Sequence, residues 1–407
     1  MHILDILKER GFVAQVTFEE DLYKALDEGP MTFYVGFDPT ADSLHVGHYI
    51  PIMAMAHMQR AGHRPIALFG GGTAMVGDPS GRTDLRQMMT KETIAMHVAG
   101  IQKQLARFLD FGEGKAMMVN NADWLLDLNY IDFLRDVGSQ FSVNRMLAAD
   151  CYKRRLEVGL TFLEFNYMLM QSYDFLCLFK KHGCRLQLGG DDQWSNMLSG
   201  SDLIRRKEKE DAFSLTCKLI MTHDGKKMGK TEKGALWLDP NRCSPFDFYQ
   251  YWRNVGDQDV ERFLGLLTFL PMDEVRRLGA LEGSEINEAK RVLAFEVTQL
   301  IHGTEEATKA QDAAQSLFAG SGASSNVPTF DITADMLAED GHVSTILVTC
   351  GLCSSRGEAR KLMQAGAVLV ADEKVTDTTT CITVDQIGSD GLLLRKGKKN
   401  YCRLILK

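Results

Sequence analysis

The sequence predicts an α/β protein with an open, mostly parallel sheet, a helical insertion within it, an all-helical domain after it and a small α+β domain at the end. Three observations carry this expectation. Short strand-like runs end in turn residues and pass into helical patterns; the stretch of about 120–162 offers no clear strand; and the pattern turns helical from Ser244 onward. At 407 residues, two or three domains are expected, and 45% hydrophobic with 25% charged residues excludes disordered and fibrous classes.

Thr32–Phe37 and Pro65–Phe69 read as strands, and their spacing suits a parallel strand–helix–strand unit. Thr161–Lys181 predicts one long amphipathic helix. Cys184–Leu188 predicts a strand that runs into Gly189-Gly190 and then a helix from near Asp191. These elements define a first domain over 1–243. Phe246, Tyr249 and Trp252, then Val260, Phe263, Leu264 and Leu267, then Ala289, Val292, Leu293, Leu300 and Ile301 fall at helical spacing, with Gly303 suited to a C-cap. They define a helical domain over 244–320. Gly320–Thr329 is rich in Gly and Ser, which predicts a linker over 321–341 before a small domain over 342–407.

No apolar stretch approaches the roughly 20 residues of a membrane span, and Asp5 and Glu9 interrupt the start where a signal peptide needs an apolar core. Nine cysteines are too sparse for a disulfide scaffold, so a cytoplasmic, reducing compartment and no membrane partner are expected. With 46 basic and 54 acidic residues the net charge is −8. His342–Lys407 holds ten basic and six acidic residues, so it carries +4 and the rest −12. A basic appendage on an acidic body is where a polyanion would bind.

Chemistry concentrates in a few places. Asp38-Pro39-Thr40 and His45-Val46-Gly47-His48 lie at the step from the first strand to the first helix, where open sheets bind ligands and a helix N-terminus offers free N–H groups. Gly47 permits close backbone approach, and His45 and His48 can donate to phosphate oxygens. No acidic or Cys cluster accompanies them, so no protein-bound metal is expected. Lys226-Lys227-Met228-Gly229-Lys230-Thr231 is not a P-loop, because only three residues separate Gly225 from Gly229. A loop with Lys227 and Lys230 can instead neutralise a leaving pyrophosphate. Tyr34, Gly36 and Asp38 share one strand face, and Tyr167, Gln171 and Asp174 share one helix stripe. Gln187-Leu188-Gly189-Gly190-Asp191-Asp192-Gln193 places paired glycines and a carboxylate at another strand end. Gly77–Arg86 carries Asp78, Arg82 and Arg86.

Asp38–His48 resembles the HIGH signature, and Lys227–Thr231 the KMSKS signature, of class I aminoacyl-tRNA synthetases. Val46 stands for Ile, Gly229 for the first Ser and Thr231 for the second. Gly-Lys-Thr there looks like the tyrosyl branch. The resemblance covers nearly the whole chain and implies a Rossmann-like catalytic domain, an anticodon-binding helical domain and a homodimer. By resemblance, Tyr34 and Asp174 bind the phenol of L-tyrosine and Tyr167, Gln171 and Asp78 its ammonium, while Gln187 and Gln193 contact the substrate and Asp192 the ribose. Gly36, Asp38, Gly47, Gly190, Gln193, Arg82, Arg86 and Lys230 are assigned to ATP. Thr40, His45, His48, Lys227, Lys230 and Thr231 are assigned to catalysis, with Thr40, His45, Lys227 and Lys230 stabilising charge on the leaving group. Magnesium would arrive with ATP as substrate. The tail resembles a small RNA-binding domain shared with a ribosomal protein, which implies that Arg356, Arg360, Lys361, Lys396, Lys398 and Lys399 contact tRNA.

Overall fold

The computed structural model describes residues 1–80, 89–219, 221, 223, 230–231, 234–318, 328–371, 373–388, 391–397 and 400–407. The chain divides into two compact units, Met1–Gly303 and Thr304–Lys407.

The first unit is built on six strands: β1 (Val13–Val16), β2 (Thr32–Phe37), β3 (Arg64–Phe69), β4 (Met117–Asn120), β5 (Cys184–Gly190) and β6 (Phe213–Cys217). Their spatial order is β1-β6-β5-β2-β3-β4, parallel except for β1 against β6. Both faces of the central strands are covered, so β3 and β6 are runs of buried residues without alternation. The insertion after β4 consists of short helices between 122 and 158, and the chain then returns to lay β5 beside β2. The direction of strand addition therefore reverses between β2 and β5, the place where open sheets form a ligand crevice.

The helix expected over Thr161–Lys181 is two helices, Phe162–Phe165 and Tyr167–His182. Asn166 accounts for the break. Its N–H is shared between the carbonyls of Phe162 and Leu163 at 3.2 Å each, and its side-chain amide also donates to the Phe162 carbonyl. Beyond the lysine motif only a short pairing forms among the described residues. Lys230–Thr231 (β7) pairs antiparallel with Gly234–Ala235 (β8), and Trp237 makes an isolated bridge to His45.

The helices Pro245–Arg253, Val260–Leu267, Met272–Gly279 and Ile286–His302 pack into this same unit instead of standing apart from residue 244. Arg10 explains part of that. Its guanidinium is buried and donates to the carbonyls of Gly265 at 3.0 Å and Thr268 at 3.1 Å, satisfying the free end of the Val260–Leu267 helix. Tyr49 Oη donates to the Leu267 carbonyl at 3.0 Å. Gly303 ends the last of these helices with φ +92°, a conformation open to glycine.

The second unit holds the helix Thr304–Phe318 and five further strands: β9 (Thr329–Ile332), β10 (Val368–Val370), β11 (Glu373–Lys374), β12 (Leu392–Lys396) and β13 (Asn400–Leu406), in the order β11-β10-β12-β13-β9. Ile332, Val343, Leu347, Met363, Leu394 and Leu404 form its core. Within the segment expected as a linker over 321–341, β9 pairs parallel with β13 and Ala334–Asp340 is helical, so folded structure begins before residue 342. Residues 319–327 lie outside the described residues.

Candidate active site

A cavity of about 430 Å³ opens at the C-terminal ends of β2 and β5, where the strand order reverses. Tyr34, Gly36 and Asp38 reach it from β2 and its end, and Gln187, Gly190, Asp192 and Gln193 from β5 and the turn beyond. Tyr167, Gln171 and Asp174 reach it from one stripe of the helix Tyr167–His182. The strand and helix periodicities thus bring the sequence-predicted residues into one place.

The inner end is polar within an apolar wall. Tyr34 is 1% exposed, its ring packs on Phe175 at 5.3 Å, and its hydroxyl has no hydrogen-bond partner among the described residues. Oε1 of Gln171 and Oε1 of Gln187 are likewise buried and unpartnered. Buried polar groups are almost always satisfied, so three such atoms around one cavity mark a site shaped for a polar ligand. Asp174 accepts from Asn121 Nδ2 at 2.9 Å and Trp124 Nε1 at 2.8 Å. Burial pushes its carboxyl up to about 8, although both donors favour the anion. Burial and then the nearby Asp174 hold the Tyr34 hydroxyl protonated, well above the ordinary phenol range.

Asp38 joins this end to the motif region. Its carboxylate accepts from Thr73 Oγ1 and Tyr167 Oη, both at 2.9 Å. A Cβ on Gly70 would lie 2.0 Å from Asp38 Oδ1, so only glycine leaves room for that carboxylate. Sequence reasoning passed over Gly70, Thr73, Asn121 and Trp124. The available signal was Gly70-Gly71-Gly72 directly after a predicted strand; Asn121 and Trp124 carry no local signal, because only the closed sheet brings them to Asp174.

The two motif histidines form the start of the helix Val46–Arg60. His45 Nδ1 accepts from Gly47 N–H at 3.0 Å, and His48 Nδ1 accepts from His45 N–H at 3.3 Å, while the rings lie 4.0 Å apart. Burial lowers the His45 pKa, so the ring is neutral at pH 7 and carries its proton on Nε2 as a donor. Gly47 has a second use here: a Cβ would come within 2.7 Å of the His45 ring.

At the outer end Asp78 accepts from Ser80 N–H at 2.9 Å and Gln193 Nε2 at 2.7 Å. Asp192 is exposed on the rim beside Gly190, where a Cβ would meet its carboxylate at 2.6 Å. Thr40 is exposed and lies outside the cavity lining. Arg82, Arg86 and Lys227 fall outside the described residues, as do Lys398 and Lys399; Lys230 and Thr231 are described as the backbone of β7. In the second unit Arg360 and Lys361 are exposed, whereas Arg356 pairs with Asp340 at 2.8 Å. The ammonium of Lys396, a residue expected to contact tRNA, is bound by the Leu352 carbonyl at 2.7 Å and Glu358 at 2.8 Å.

A split parallel sheet with paired histidines at the first helix defines the class, and comparison agrees. The family model for tRNA synthetases class I (W and Y) matches residues 26–319, and the chain belongs to that family. Residues 321–404 match the Tyrosine--tRNA ligase SYY-like C-terminal domain. Over its whole length the chain is 58% identical to the Tyrosine--tRNA ligase of Caldanaerobacter subterraneus, and 59% identical to one from Clostridium botulinum, with 100% of both chains covered in each case. A C-terminally truncated mitochondrial tyrosyl-tRNA synthetase from Aspergillus nidulans superposes with a TM-score of 0.70 at 31% identity, over 78% of this chain and 94% of that one.

Proposed function

We propose that this chain activates L-tyrosine with ATP to tyrosyl-adenylate and pyrophosphate, then transfers tyrosine to the 3′-terminal ribose of tRNA(Tyr). The observation that carries the choice of amino acid is the buried, unpartnered Tyr34 hydroxyl near the Asp174 carboxyl at the closed end of the cavity. A phenol can bond both groups, while phenylalanine would leave the Tyr34 hydroxyl desolvated and unpaired. Tyr167, Gln171 and Asp78 hold the substrate ammonium, and Gln187 the polar atoms beside it. The backbone at Gly36, Gly47 and Gly190 admits the nucleotide, with Asp192 on the ribose.

The substrate carboxylate is already a competent nucleophile at neutral pH, so the reaction needs no side-chain nucleophile. It attacks the α-phosphorus in line and the bond to pyrophosphate breaks. His45 and His48 donate to phosphate oxygens, and Thr40, Lys227, Lys230 and Thr231, with Arg82 and Arg86, offset the charge that moves onto pyrophosphate. Magnesium enters bound to ATP. Arg356, Arg360, Lys361, Lys398 and Lys399 form the tRNA-facing patch, with Lys396 supporting it from its bond to Glu358.

The working form is a cytoplasmic homodimer. Ile131, Val143, Val158 and Phe162 leave large apolar side chains exposed on and beside the insertion, and a second copy of this chain would cover them. No helix among the described residues is long and apolar enough to cross a membrane.

The test is pyrophosphate exchange into ATP with each proteinogenic amino acid supplied singly and without tRNA. Exchange with tyrosine alone is expected; exchange driven by tryptophan, or by none, overturns the assignment.

A further inference from the structure

The segment Pro39–Leu44 joins Asp38 to His45, both of which line the cavity, yet it belongs to no helix or strand. Its geometry must be set from outside. One face of the helix Lys91–Leu105 does this with three residues at i, i+3 and i+7. His97 Nδ1 donates to the Pro39 carbonyl at 2.8 Å, so the ring carries its proton on that nitrogen. A Cβ on Gly100 would lie 2.1 Å from the Asp42 carbonyl oxygen, so the helix backbone and the loop are in direct contact there. Gln104 completes the row: its Oε1 accepts from the buried Leu44 N–H at 2.7 Å and its Nε2 donates to Ser43 Oγ at 3.0 Å. From the other side, Leu238 N–H donates to the Leu44 carbonyl at 2.9 Å and Val46 N–H to the Leu236 carbonyl at 3.0 Å.

We infer that Gln104 and His97 are positioning residues for adenylate formation, holding the Pro39–Leu44 segment so that Thr40 and His45 meet the phosphates of ATP. Neither residue lines the cavity, and neither touches the tyrosine end. Tyr34 packs on Phe175 and Asp174 is held by Asn121 and Trp124, none of which touches this segment, so loosening it acts first on the phosphate end. The inference rests on reading the cavity as the adenylation site; wild-type exchange with tyrosine secures that reading whatever the variants do.

The experiment uses the full-length chain and two readouts, kcat for tyrosine-dependent pyrophosphate exchange and the equilibrium Kd for tyrosine without ATP. Gln104→Met removes both hydrogen bonds at similar volume. Its kcat should fall on the order of a hundredfold, as misplacement by about 1 Å does, with the tyrosine Kd unchanged. Gln104→Glu keeps the acceptor for Leu44 N–H and should restore most of the rate. Should Gln104→Met fail to fold, His97→Ala reads the same split, with His97→Asn restoring a donor to the Pro39 carbonyl. An unchanged kcat overturns the inference. So does a parallel loss of kcat and tyrosine affinity, which would mean general loosening, or an absence of rescue by the conservative variants.

Discussion

Asp174 concentrates the opposing demands on a specificity residue. Asn121 and Trp124 supply donors that suit an anion, while complete burial favours the protonated acid and takes the carboxyl from 3.8 up to about 8. Below 3.8 the folded and unfolded chains both hold the proton. Between 3.8 and about 8 only the folded chain holds it, so this group's contribution to stability is lost as pH rises through that window. Asp174→Asn carries no such penalty. The stability difference between the variant and the ligand-free wild type should therefore move in the variant's favour from pH 4 to about pH 8 in chemical denaturation; a flat difference would contradict the burial argument. Tyr34, Gln171 and Asp174 were legible in the sequence because strand and helix periods place them on facing surfaces. The donors that orient Asp174 were not, since Asn121 and Trp124 lie about 50 residues away at the end of an edge strand that gave no pattern of its own.

At the scale of elements, an ion pair ties the helical insertion to the helix that follows it. Arg155 is buried and donates from Nε to Glu164 Oε1 at 3.0 Å and from Nη2 to Oε2 at 3.3 Å. Glu164 also accepts from the N–H and Oγ1 of Thr161, closing the capping box that starts the helix Phe162–Phe165. Arg155→Met should cost about 3–5 kcal/mol, because it strands the carboxylate in a buried site. The urea midpoint measures this, and a loss of only a few tenths would place the pair in solvent. A single long helix was expected there and two were found because Asn166 also bonds the Phe162 carbonyl with its side-chain amide, which hydrophobic periodicity does not register. Strands β2, β3 and β5 were readable because apolar runs ended in turn residues. β1 and β4 are four residues each and half-buried throughout, too short for a period to emerge.

At the scale of the whole molecule, the division of charge into −12 and +4 locates the polyanion site better than the net value of −8 does. Arg360 and Lys361 are exposed on the helix Arg356–Gln364, and among the described residues neither has an internal bond of the kind that occupies Lys396. Replacing both with Glu should raise KM for tRNA charging and lower its salt dependence by about one unit of slope per lost phosphate contact, leaving exchange without tRNA untouched. An unaltered tRNA KM would move the interface elsewhere. The boundary expected at residue 244 differs from the first compact unit, Met1–Gly303, in part because Arg10 and Tyr49 bond carbonyls more than 200 residues away, contacts that no local pattern reveals. The central claim is that the cavity recognises a phenol, and the ratio of kcat/KM for tyrosine over phenylalanine in pyrophosphate exchange tests it most directly. The wild type should strongly favour tyrosine, and Tyr34→Phe should lower that preference roughly tenfold, about 1.4 kcal/mol for one buried hydrogen bond. A wild-type ratio near unity, or a preference unmoved by Tyr34→Phe, would contradict it.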